Sequence, residues 1–399
     1  MLAQAPVDAH GLNARPASWG AVFAMSLAAF ALVASEFMPV SLLTPIAADL
    51  GITEGQAGQA ISVSGAFAVL TSLSISRLAG GHDRRALLLA LTGLMIVSSA
   101  IVALAPNYLI FMVGRALIGV TIGGFWSMSA ATAMRLVPDG LVPRALAIFN
   151  GGNALATVVA APLGSFLGGL IGWRGAFFCV VPVAAVVLVW KLVSLPSMRA
   201  TESLSHRNPF VLLRRPVVAL GMAAVSLFFM GQFSLFTYLR PFLETTGHGD
   251  VSGLSLMLLA MGISGFVGTI LIGTFLKRGL YRTLVVIPAA MAAIALALVI
   301  AHGSVPVTVL LLSVWGLVAT AAPVGWWTWI SRTMPENAEV GGGLMVAVVQ
   351  LAITLGATLG GALFDAGGYR PTFSASAALL ISAVCVALLT ARADRGRPT

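Results

Sequence analysis

Charge is what this chain has least of. Only 9% of its 399 residues are Asp, Glu, Lys or Arg, against about 25% in a soluble domain. Hydrophobic residues make up 59% and the mean hydropathy is +1.00. A water-soluble globule of this size would not be wetted with such an exterior. Cysteine is nearly absent as well: Cys179 and Cys385 fall inside apolar stretches and make no disulfide framework. No Gly-rich phosphate loop with its Lys is found, so ATP-driven pumping is not read here. His10, His82, His206, His248 and His302 lie in loops or at span ends, with no metal-ligand spacing. No enzyme, no metal and no cofactor is expected.

What the chain has is apolar runs long enough to cross a bilayer. In lipid every backbone polar group must be satisfied internally, and runs of ~20 residues achieve this as helices. Twelve spans are expected, at 19–45, 56–76, 86–105, 107–134, 144–172, 176–195, 217–239, 253–276, 283–301, 307–331, 341–364 and 372–391. The fold class is therefore all-α, a membrane protein of two pseudo-symmetric six-helix halves. The expected divisions are a tail (1–18), a first half (19–195), a polar linker (196–216) broken by Pro196 and Pro209, a second half (217–391) and a second tail (392–399). Glu36, Pro39 and Pro45 interrupt the first run, which marks it as an uncleaved helix and not a leader.

The halves carry a repeat. Leu163-Gly164 and, eight residues on, Trp173-Arg174 return 196 positions later as Leu359-Gly360 and Tyr369-Arg370. The same shift takes Pro45 to Pro241 and Glu36 to Gln232. Internal duplication of this kind is a mark of secondary transporters, whose solute route runs between the repeats.

The formal net charge of +9 reports topology. With both termini placed in the cytoplasm, 18 of the 22 Lys and Arg, Lys191 among them, fall on that side, as the positive-inside rule requires. Arg174, Arg240 and Arg370 fall outside, and Arg115 is left as the one basic residue well inside a span. The partners expected are a lipid bilayer and a small-molecule solute, with no nucleic acid, and a monomer is the expected unit.

Glu36 is the first candidate for chemistry. An acid near the centre of a span costs about 2.5–3.5 kcal/mol to insert, so such residues face internal cavities. A carboxyl group caught between desolvation and a nearby cation loads and releases a proton as its surroundings alternate. Its plainer role is interfacial. Arg115 either ties its helix to a neighbour's carbonyls or biases Glu36; the residues leave both open. The candidate solute wall comprises Phe125, Trp126, Asn150, Asn153, Gln232, Phe236, Tyr238, Trp326, Trp327 and Gln350. Aromatic faces and amides suit a neutral, flat, polar solute, although Trp and Tyr also form interfacial belts.

Three segments carry a family resemblance. Ser76 to Arg85, ending in Arg84-Arg85, resembles the hallmark loop of the major facilitator superfamily, with Gly80 where an Asp is usual. Phe111-Met-Val-Gly-Arg115 resembles its span-four motif, and Ala161-Pro162-Leu-Gly164 its span-five antiporter motif. The resemblance assigns Arg115 to proton coupling beside Glu36, and Arg84, Arg85, Pro162 and Gly164 to the conformational change. Longer stretches are similar to the purine ribonucleoside efflux group of the drug/proton antiporter branch. They include Glu36 to Pro45, Gly123 to Ala130, Gly231 to Pro241 and Pro323 to Ile330. That likeness implies proton-driven efflux of purine ribonucleosides such as inosine and guanosine across a bacterial inner membrane. A sugar or multidrug exporter is the alternative within the superfamily, and a solute sensor without turnover is the more remote one.

Overall fold

The computed structural model describes residues 17–78, 82–198, 209–245, 251–300 and 304–395. Most of the two tails, the centre of the linker, Gly80, His10, His206, His248 and His302 lie outside the described residues. Helices account for nearly everything else, and there is no strand among the described residues.

In the first half the helices are α1 (Trp19–Leu50), α2 (Glu54–Leu78), α3 (Arg84–Ala103), α4 (Tyr108–Arg135), α5 (Val142–Phe178) and α6 (Val180–Ser194). The second half has α7 (Pro216–Phe236), a short α8 (Leu239–Thr245), α9 (Val251–Arg278), α10 (Leu280–Ile300), α11 (Val305–Thr333), α12 (Ala338–Gly367) and α13 (Tyr369–Arg395). Eleven stretches are long and apolar enough to cross a membrane, and one of them, the 53-residue Val142–Ser194, holds two passes. Gly172 divides it: φ is 74° there, a left-handed conformation that costs an L side chain energy and glycine almost nothing. Gly368, its counterpart under the 196-residue shift, has φ 71° and separates α12 from α13. The repeat seen in the sequence thus marks the same reversal twice, and the bundle has twelve passes, six in each half.

Helix ends follow local chemistry. The Asn107 side chain accepts from the Ile110 N–H at 3.0 Å and Asp83 accepts from the Arg85 N–H at 2.9 Å, each meeting a donor that a helix start leaves unpaired. Pro241 has no N–H for the Thr237 carbonyl, and the seventh pass breaks there into α7 and α8. Its counterpart Pro45 sits inside an unbroken α1.

The first and second halves each enclose an apolar core of their own, around Leu32, Leu91, Phe125 and Phe149 in one and Phe228, Trp315, Trp329 and Phe373 in the other. The halves meet along α2 against α12 and α5 against α9. The end that carries both termini is called the terminal end below, and the opposite end the distal end. Hydrogen bonds joining the halves run from mid-bundle to the distal rim: Ser62 with Thr354, Thr358 with Gln59, and Thr53 and Gly55 with Asp365. Toward the terminal end Asn150 is exposed and Trp327 is 47% exposed. The space between the halves, a cleft, is therefore shut at the distal end.

Candidate functional site

Glu36 lies at the closed end of this cleft, 4% exposed on α1. Three residues further on stands Pro39. Proline inside a helix leaves the carbonyl four residues back without its usual partner, and for Pro39 that carbonyl belongs to Ser35. Arg115, fully buried on α4, fills the gap: its Nη1 donates to the Ser35 carbonyl at 2.9 Å. Nη2 donates to the Glu36 carbonyl at 2.9 Å and to Ser64 Oγ at 3.2 Å, and Nε donates to the Ala60 carbonyl at 3.1 Å. The guanidinium thus binds backbone from α1 and α2, and the Glu36 carboxylate is not among its hydrogen-bond partners.

The side chain that does reach the carboxylate comes from the other half. Gln350 of α12 donates from Nε2 to Glu36 Oε1 at 3.4 Å, a long hydrogen bond. Gln350 is 7% exposed, and its Oε1 is buried with no hydrogen-bond partner among the described residues. Gln232, which the repeat sets opposite Glu36, likewise has a buried Oε1 with no partner among the described residues. Each amide oxygen thus keeps acceptor capacity for a donor. Beside them Phe37 from the first half stacks on Phe233 (5.5 Å between centroids) and meets Phe236 edge-on at 6.5 Å.

The other candidates separate into groups. Phe125 is buried and packs with Trp126 and Phe149 at 5.7 and 6.1 Å, and Trp126 is half-buried. Asn150 gives its amide to the Leu146 carbonyl of its own helix at 2.9 Å, and Asn153 is half-buried one turn on. Trp326 is 3% exposed and packs on Trp329, whose Nε1 donates to the Tyr281 hydroxyl at 3.2 Å; its neighbour Trp327 is the exposed one. Tyr238 is fully buried in the distal closure. Its hydroxyl donates to the Ala357 carbonyl at 2.9 Å, and its ring stacks on Phe364. The structure thus places Tyr238 in the seal.

Among the conformational residues, Pro162 and Gly164 are buried on α5 against α1, where a Cβ on Gly164 would stand 2.6 Å from Ser41 Oγ. At the terminal end Asp83 gathers three donors: the Arg85 N–H, the Met198 N–H at 2.8 Å and the Ser197 hydroxyl. Those bonds, the hydroxyl first, hold its carboxyl below the usual aspartate range. Arg85 donates from Nη2 to the Leu192 carbonyl at 2.6 Å, and the Arg84 N–H to the Met198 carbonyl at 3.1 Å. The loop that lacks an Asp at Gly80 thus uses Asp83 to bind the start of α3 to the segment after α6.

One expectation is corrected. Arg115 is not the only buried basic residue, because Lys191, counted with the residues of the terminal side, is fully buried on α6. Its Nζ donates to Thr92 Oγ1 at 2.9 Å and stands 5.1 Å from the centre of the Phe125 ring. A flexible Lys stem near a span end can reach the membrane surface; that of Lys191 turns inward instead. Sequence reasoning also missed Phe37, although it adjoins Glu36. The spacing Ser35-to-Pro39 was the one available signal for what Arg115 binds.

The Major Facilitator Superfamily family model matches residues 25–353. A Pseudomonas aeruginosa protein named transcription regulatory protein OpdE is 63% identical over 383 residues, 94% of each chain. The purine ribonucleoside efflux pump NepI of Salmonella paratyphi B is 42% identical over 375 residues, again 94% of each. Among solved structures, a bacterial homolog of the human lysosomal transporter Spinster, in an inward-facing and unoccupied conformation, superposes with a TM-score of 0.78. That match has 14% identity and covers 97% of this chain and 100% of the other, a likeness of fold.

Proposed function

The chain belongs to the major facilitator superfamily, as a transporter and not an enzyme, and on that premise we propose that it exports purine ribonucleosides in exchange for protons. The membrane would be a bacterial inner membrane, with the terminal end in the cytoplasm. One observation carries the coupling: Glu36 is buried at the head of the cleft, and among the described residues the one hydrogen bond to its carboxylate is the long one from Gln350. A carboxylate locked in an ion pair would resist protonation; the Arg115 guanidinium spends its hydrogen bonds on backbone carbonyls and Ser64, and makes none to the Glu36 carboxylate.

The solute assignment rests on chemistry that fits and on the 42% identical efflux pump. A purine ribonucleoside is neutral and flat on one side, and it carries ribose hydroxyl and ring N–H donors. The open acceptors of Gln232 and Gln350 accept such donors, and Trp126 and Trp327 offer ring faces for stacking. In the cycle, solute enters at the terminal end, the halves rock, and Glu36 takes a proton from the distal side as solute leaves. Return to the terminal-open state releases that proton to the cytoplasm.

The regulatory name of the Pseudomonas relative favours one second reading, in which occupancy is sensed and no turnover follows. Net flux separates the two. Labelled inosine should accumulate in everted vesicles with an acid interior. Excess guanosine should suppress that uptake and excess arabinose should not. Suppression by arabinose would move the assignment to sugars, competition by lipophilic cations would move it to multidrug export, and absence of any flux would favour the sensor.

A further inference from the structure

The contacts of α12 with the first half fall on one stripe. Gln350, Thr354, Thr358, Gly361 and Asp365 follow spacings of four, four, three and four residues, which places them along a single helix face. The stripe is ~22 Å long at 1.5 Å per residue. From its inner end, Gln350 reaches Glu36. Ser62 Oγ donates to the Thr354 carbonyl at 3.2 Å, and Thr358 Oγ1 stands 2.9 Å from Ser62 Oγ. A Cβ on Gly361 would press on Gly55 at 3.1 to 3.2 Å. At the rim Asp365 accepts from the Gly55 N–H at 2.9 Å and the Thr53 hydroxyl at 2.7 Å. A second tie runs in parallel: Pro45 leaves the Ser41 carbonyl without a helical donor, and Arg240 of the second half donates to it while held by Glu244 at 2.7 Å.

We infer that Gln350 is the lock that keeps the empty carrier shut at its distal end, because it ties the ionised Glu36 to the first rung of the stripe that forms the distal seal. Its acceptor oxygen is open and its donor bond is long, so a solute arriving from the terminal end takes the amide from Glu36. The seal loses its innermost rung only when solute is present. An exchanger needs this condition: an empty, ionised carrier that opened distally would pick up a proton, return and leak. This role rests on the proton-exchange reading above, and it makes Gln350 a positioning residue that acts through Glu36.

The test uses the full chain with Cys179 and Cys385 replaced by Ala, and a reporter cysteine at Ile61, which is 1% exposed and packs against the second half. In proteoliposomes without solute, Gln350→Leu should label at Ile61→Cys with an impermeant maleimide roughly ten-fold faster than the parent, the factor that ~1.4 kcal/mol carries. It should also leak protons under an imposed pH gradient, and the double change Gln350→Leu with Glu36→Gln should stop the leak. In the parent, inosine should speed labelling; in Gln350→Leu it should add nothing. Gln350→Asn, which keeps the amide but shortens the arm, serves if the Leu variant does not reach the membrane, and should label and leak in the same way. Labelling and leak equal to the parent would overturn the lock. A leaky variant in a carrier indifferent to inosine would keep the lock and overturn the nucleoside assignment.

Discussion

Truncating Arg115 to Met removes the donor that, alone among the described residues, replaces the missing N–H of Pro39. The Ser35 carbonyl is then buried with no partner, whereas the Glu36 and Ala60 carbonyls keep the N–H groups of Val40 and Ser64 in their own helices. Leaving a buried acceptor open costs about 1–3 kcal/mol, and this part of the loss should disappear if Pro39 becomes Ala, which returns an N–H to the position. A double-mutant cycle over Arg115→Met and Pro39→Ala isolates the pair. The coupling should be about 1–3 kcal/mol, the cost of leaving that one buried acceptor unpaired. The double variant should therefore be less damaged than the two single losses combined. Equilibrium unfolding in mixed detergent micelles reads the four stabilities. Additive losses within about 0.5 kcal/mol would refute the claim that Arg115 serves the gap left by Pro39.

Gly58→Ala should place a Cβ 2.0 Å from the Tyr238 hydroxyl across the halves, so transport should fall and distal labelling rise, while the melting temperature of the purified protein moves little. Thr92→Val takes away the hydroxyl that accepts from Lys191 and should cost about 1–3 kcal/mol. Lys191→Met should be neutral or stabilising, since an apolar replacement also removes the cost of burying the charge; thermal melts of both variants check this. Asp83→Asn should lower stability at neutral pH. Because the Asp83 carboxyl titrates below its usual range, the stability it adds is present above the ordinary aspartate pKa of about 3.9 and fades as pH falls through the depressed value. The gap between parent and variant melts should therefore close only in strong acid. Trp327→Ala should weaken nucleoside binding by roughly 5- to 150-fold, the range of ~1–3 kcal/mol for stacking one base, with sugar binding unchanged in a titration of both.

The bundle was legible because its spans are set by apolar length, and the observed helices begin and end within a few residues of the expected ones. The shift that pairs Trp173 with Tyr369 also pairs Gly172 with Gly368, so the duplicated reversal was written in the chain. What escaped depends on how one helix is turned against another. Lys191 stands three residues from the end of α6, where a long side chain has two destinations, and only the packing of α3 and α4 decides for Thr92 and Phe125. Gln350 stood among the candidate wall residues, but its register with Glu36 is a property of the two halves together. Tyr238 stood in a motif rich in candidate wall residues, and its burial follows from the facing Gly58 and Gly361, which no local pattern connects to it.

Proton movement driven by solute tests the exchange most directly. Proteoliposomes holding the purified protein and a trapped pH dye, with no imposed gradient, would receive an inosine gradient. The account expects protons to move against the direction of inosine, with Glu36→Gln giving no proton signal while still binding inosine. Inosine flux without proton movement, or an unchanged proton signal in Glu36→Gln, would contradict it.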